Sequence, residues 1–75
     1  MNSLVKFDDV PCGEFFTDEI GQLFIKIVDV CDIDNLNYRY NAVVMKSNYN
    51  CRGTLSWFVD EHLVTYNRRK NAVHD

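Results

Sequence analysis

The residues able to do chemistry are few and scattered. His62 follows Asp60 and Glu61, and cysteines stand at positions 12, 31 and 51. A histidine beside carboxylates is the material of general acid–base catalysis, and a cysteine with a histidine that of a covalent nucleophile. Neighbours in sequence need not point together, however, and nothing in the spacing joins Cys12 or Cys51 to His62. The plainer reading of His62 is a surface histidine after a single helical turn. A zinc site is no better specified. The cysteine spacings are long, and structural zinc sites usually draw their ligands in close pairs from tight turns. There is no phosphate-binding Walker loop, dinucleotide fingerprint or H-E-x-x-H pair. The sequence therefore predicts a protein that is not an enzyme, with no catalytic residue, no metal and no cofactor.

Binding is the remaining chemistry. Phe24, Tyr38, Tyr40, Tyr49, Trp57 and Tyr66 offer ring faces, and Arg68-Arg69-Lys70 is a basic run beside Tyr66. Bases stack on such rings for about 1–3 kcal/mol each. A single-stranded nucleic-acid binder built on Tyr66, Arg68, Arg69 and Lys70 is thus one reading. The charge balance opposes it, because residues 1–67 hold five basic and ten acidic groups, a net of −5. The basic run then reads as a solvated tail. Asp8, Asp9, Glu14, Asp18, Glu19, Asp29, Asp32 and Asp34 crowd the first half. They suit a basic partner, or simply keep a small domain soluble.

Elements must position these groups, and composition limits what they can be. The chain has 75 residues, a formal net charge of −3, and is 47% hydrophobic. That suffices for one small core, with stability of roughly 3–5 kcal/mol for this size. No run is long and apolar enough to span a membrane. The first residues have no apolar stretch of the secretory kind, and three cysteines make a poor disulfide framework, so a reducing cytoplasm is expected. Cys31, ending an apolar run, is expected to be buried; Cys12 and Cys51 sit beside turn residues.

Short apolar runs punctuated by Pro11, Gly13, Gly21 and Gly53 predict strands and tight turns. Leu4 to Val10 carries Asp8 and Asp9 and reads as a loop or edge segment. Five strands follow: Glu14–Thr17, Gln22–Val30, Tyr38–Lys46, Thr54–Val59 and Leu63–Tyr66. Turns fall at Asp18–Gly21, Asp32–Asn37 and Ser47–Arg52, with one helical turn at Asp60–His62. Residues 1–67 form one domain and 68–75 a polar, basic tail. No stretch keeps the helical spacing of apolar groups without a breaker. An all-β chain this short hides its edges best by curling into a barrel.

Gln22–Val30 is too apolar for a strand with one dry face. Either both faces are covered or one exposes apolar groups. Alternation sets Leu55, Trp57 and Val59 against Ser56 and Phe58, and Leu23, Ile25 and Ile27 against Phe24, Lys26 and Val28. With Ile25 and Phe58 inside, Phe24, Val28, Leu55 and Trp57 stand partly outside. The opposite register puts Trp57 in the core and Phe58 outside. In the first register Trp57, Phe24, Tyr40 and Leu55 are the expected anchors of a protein interface, with Asp60 and Glu61 as rim charges. An apolar outer face also suits the seam of a homodimer.

The order of the pieces resembles an SH3-like barrel. Gly13-Glu14-Phe15-Phe16 precedes the first barrel strand, two long hairpin strands follow, and Gly53-Thr54-Leu55-Ser56-Trp57-Phe58 leads through Asp60-Glu61-His62 into Leu63-Val64. The segments Phe7-Asp8-Asp9-Val10, Leu23-Phe24-Ile25-Lys26-Ile27 and Tyr40-Asn41-Ala42-Val43 also resemble small uncharacterised proteins of bacteria and their phages, over residues 7 to 66. The resemblance implies a five-stranded SH3-like barrel with one helical turn before the last strand. It brings no functional residue, and the A-L-Y-D-Y-like segment and paired tryptophans of proline-binding SH3 domains are absent. By analogy, it implies a phage-type accessory protein in the bacterial cytoplasm that occludes or modulates a host protein.

Overall fold

A computed structural model describes residues 3–67. The fold is all-β, a single antiparallel sheet of six strands. The strands are β1 (Ser3–Lys6), β2 (Phe15–Thr17), β3 (Leu23–Cys31), β4 (Arg39–Lys46), β5 (Leu55–Ser56) and β6 (Leu63–Tyr66), and a 3-10 helix spans Phe7–Asp9. Their order across the sheet is β1-β6-β2-β3-β4-β5.

Three expectations change. Ser3–Lys6 is a strand, the sixth, with Val5 opposite Val64 and Lys6 opposite Leu63. It is too short and too polar at its end to stand out from the loop that follows. The expected helical turn lies at Phe7–Asp9 instead, while Asp60 and Glu61 form a turn closed by His62 N–H donating to Val59 O at 3.0 Å. The sheet also does not close into a barrel, since β1 pairs only with β6 and β5 only with β4.

Although β1 and β5 do not pair, ring packing and the Asp8 N–H to Asp60 O bond bring the segments that follow them together. Phe7 follows β1 and Phe58 follows β5, and their rings stack with centroids 5.3 Å apart. Phe16 from β2 and Phe24 from β3 complete a cluster of four rings with centroid distances of 4.9–5.3 Å. Val10, Ala42, Val44, Val64 and Tyr66 fill the rest of the core. The sheet curls around these groups, so that one face is dry. Edge-to-face and offset aromatic pairs add about 0.5–1.5 kcal/mol each beyond the area they bury.

Register settles the faces. Phe16 lies opposite Phe24 and Phe24 opposite Val44, all on the core side. Phe24 therefore belongs to the interior, at 3% exposure, and is removed from the expected interface anchors. Phe58 is also inside, while Leu55 and Trp57 are outside. Cys31 is exposed rather than buried, because β3 has by then run beyond the core.

Polar bonds hold the turns. At Asp18–Gln22, Gly21 takes φ +84°, which a side chain would resist, and Asp18 accepts from the Ile20 and Gln22 N–H groups. The buried Gln22 amide then accepts from Ser47 Oγ at 2.6 Å and Asn50 Nδ2 at 2.7 Å, tying this turn to the β4–β5 connection. Lys26 pins the 3-10 helix. Its ammonium donates to Phe7 O at 3.0 Å and lies 4.4 Å from the Phe7 ring centroid. Lys26→Met keeps the stem but loses both contacts, so a destabilisation of about 1–2 kcal/mol is expected. A urea titration against wild type measures it.

Candidate functional site

The outer face of the sheet is apolar across four strands. Phe15 lies opposite Ile25, Ile25 opposite Val43, and Val43 opposite Leu55. Directly paired residues share a face, so these four side chains form one row of about 14 Å at the usual strand spacing. Phe15 and Leu55 are 40% and 45% exposed, and Ile25 and Val43 are half-buried. The apolar density of Gln22–Val30 is thus explained by apolar groups on the outer face.

Next to this row the β3–β4 hairpin extends past the core. Between Lys26 and Val30 the register shifts, so that Ile27, Val28 and Asp29 oppose Asn41 alone. Beyond this bulge Val30 pairs with Tyr40 and Cys31 with Arg39. The tip is built from polar turn residues. Asp32 N–H donates to Tyr38 O, Asp34 N–H to the Asp32 carboxylate, and Asn37 N–H to Asn35 Oδ1. Ile33 and Leu36 are strongly exposed there.

Where the hairpin passes Trp57, an open pocket of about 610 Å³ is lined by Asn37, Tyr38, Arg39, Tyr40 and Trp57. The Arg39 guanidinium lies 5.9 Å from the Trp57 ring centroid and 3.3 Å from the Asp29 carboxylate. Tyr40 donates its hydroxyl to Asp32 at 3.1 Å. Trp57 is fixed from both sides: Ser56 before it pairs with Ala42, and Phe58 after it is held by Asn41. The Asn41 amide donates to Phe58 O at 2.8 Å and accepts from Phe58 N–H at 2.9 Å. These bonds replace a strand ladder, which is why the expected strand Thr54–Val59 contracts to Leu55–Ser56.

The Asp32 carboxyl is held below the ordinary aspartate range, first by the Asp34 N–H and then by the Tyr40 hydroxyl. The same bond raises the Tyr40 phenol. A depressed carboxyl favours the ordered tip above its unfolded pKa, and that contribution is lost as pH falls through the folded value. The Asp34 amide resonance should therefore titrate with Asp32 at low pH. In Asp32→Asn that titration should vanish and the Tyr40 phenol should return toward the ordinary range. Unchanged titrations in the variant would remove the contact.

Of the expected interface residues, Trp57 and Tyr40 meet in the pocket, and Leu55 lies on the adjoining row. Asp60 and Glu61 are exposed in the turn beyond Phe58, where Asp60 O accepts from Asp8 N–H. Arg39, Tyr38 and Asn37 were not among the expected anchors, nor was the row Phe15–Ile25–Val43. Tyr66 is buried and donates its hydroxyl to the Glu14 carboxylate, so its ring is not open to a base. Arg68, Arg69 and Lys70 lie outside the described residues.

His62 meets the Phe58 ring edge-to-face, with centroids 5.2 Å apart, and sits 3.1 Å from the Glu19 carboxylate. A hydrogen bond from the Glu19 backbone and one from His62 hold Glu19 below the ordinary range. Cys12, Cys31 and Cys51 are free thiols, and among the described residues no group of three or more His, Cys, Asp or Glu is placed to hold a metal ion. No helix among them is long and apolar enough to cross a membrane. No family model, curated protein sequence or solved structure matches the chain.

Proposed function

We propose that the protein is a non-catalytic protein-binding module that acts by covering a surface of its partner. One observation carries this reading: the row Phe15–Ile25–Val43–Leu55 adjoins a pocket containing Tyr38, Arg39, Tyr40 and Trp57. Tryptophan, tyrosine and arginine around an apolar patch are the groups that supply most interface energy. The setting implied by resemblance to small bacterial and phage proteins makes the partner a host protein, and the likeness to SH3-like barrels belongs to the same proposal.

The test is capture from bacterial lysate by the tagged chain, with and without nuclease, compared across variants. Wild type and Leu63→Asp should retain the same protein; Leu63 is exposed and faces Lys6, so the new charge is tolerated. Leu55→Asp and Trp57→Ala should each reduce capture at least tenfold while keeping the wild-type circular dichroism. Equal capture by all four chains, or capture abolished by nuclease, overturns the reading.

A further inference from the structure

The pocket lies on an open strand edge. β4 has β3 along one side, but on the other it pairs with β5 only at Ala42 and Val43. At Asn41 the side-chain amide takes the Phe58 backbone in place of a strand. Beyond Asn41, no strand among the described residues lies on that side of Asn37–Tyr40, and these residues line the pocket together with Trp57. An exposed edge of this kind accepts an extended segment, with main-chain bonds giving affinity and pockets giving specificity.

Charge says which segment. From Val28 to Asn41 the hairpin carries Asp29, Asp32 and Asp34 against the single cation Arg39. Arg39 is tied to Asp29, and Asp32 reaches the pocket wall through Tyr40. Ring faces beside carboxylates favour a cation. Arg39 already lies over Trp57, which shows that the ring accepts a guanidinium. A second copy of this chain is a poor occupant, because residues 1–67 carry a net of −5 and two acidic tips would meet.

We infer that the β4 edge at Asn37–Tyr40 takes an extended lysine- or arginine-bearing segment of the partner, added as a strand with one cationic side chain in the Tyr38–Tyr40–Trp57 pocket. The inference rests on the protein-binding reading and specifies the partner's chemistry.

Trp57 is the only tryptophan, so its emission reports the site directly. The full chain is titrated with the blocked peptide Lys-Val-Lys-Val-Lys and, in parallel, with Glu-Val-Glu-Val-Glu. The lysine peptide should give a saturable change in emission and slow exchange of the Arg39 amide, which alternation with the bonded Asp32–Tyr38 and Val30–Tyr40 pairs turns away from β3. Asp32→Asn should weaken its binding at least threefold, and raising salt from about 50 to about 300 mM should weaken it further. The glutamate peptide should give neither signal. No saturation, equal response to both peptides, or protection elsewhere overturns the inference. So does protection of the Arg39 amide without peptide: if it grows with concentration the edge belongs to a second copy, and if it does not, to another part of the same chain. Lysate capture that depends on Leu55 but is unaffected by Asp32→Asn removes this inference and leaves the protein-binding reading standing.

Discussion

Alanine at Phe58 is expected to unfold the domain, and alanine at the neighbouring Trp57 to leave it folded. Phe58 is 8% exposed and its ring meets Phe7, Phe16 and Phe24. Truncating a core phenylalanine costs about 3–5 kcal/mol. That equals the whole stability expected of a domain this small, roughly 3–5 kcal/mol. Trp57 is 46% exposed and rests against Arg39. Its loss should cost no more than about 1 kcal/mol, a fall in Tm of about 4–8 °C at this length. Thermal melts followed by circular dichroism separate the two. A folded Phe58→Ala beside an unfolded Trp57→Ala would reverse the inner and outer faces, and with them both the core and the proposed interface.

That pair of variants also shows why the sequence was only partly legible. Strand positions could be read because β-branched and aromatic runs lay between turn residues, and the turn at Asp18–Gly21 carried its own signal in Asp18 and Gly21. The faces of Gln22–Val30 could not be assigned, because Phe24 and Ile25 are equally good core residues. The choice is made by cross-strand neighbours, Phe16 and Val44 for one and Phe15 and Val43 for the other. Local pattern carries no information about which neighbour lies opposite. The pocket was half legible for the same reason. Trp57 and Tyr40 declared themselves as aromatic residues on strands, but Arg39 enters only because the bulge between Lys26 and Val30 carries the hairpin past Trp57. Closure failed as an expectation because short strands and a small core are common to closed barrels and curled open sheets. Here the two edge strands β1 and β5 do not pair, and nothing in the local pattern of either says so.

Asn41 should prove as costly to remove as a core aromatic. It is 2% exposed and satisfies both backbone groups of Phe58. Asn41→Ala leaves a buried N–H and a buried C=O without partners, at about 1–3 kcal/mol each. Asn41→Asp is the more informative change. Its ionised carboxylate can still accept from Phe58 N–H, but its second oxygen faces Phe58 O, and burial further disfavours the charge. The folded carboxyl is therefore raised above its unfolded value. Below the unfolded pKa the protonated acid can donate to Phe58 O and restore the clamp, and stability falls as pH rises from there through the folded pKa. Glu19 and Asp32 have the opposite sign, since their depressed carboxyls contribute less as the solution is acidified. Urea midpoints between about pH 3.5 and about pH 7 should thus rise with pH for wild type and fall with pH for Asn41→Asp. Parallel pH trends at wild-type stability would show that Asn41 does not hold Phe58. Because the clamp ends β5, fixes Trp57 and leaves the side of Asn37–Tyr40 away from β3 open among the described residues, Asn41→Asp should bind the lysine peptide only at the acidic end of its folded range.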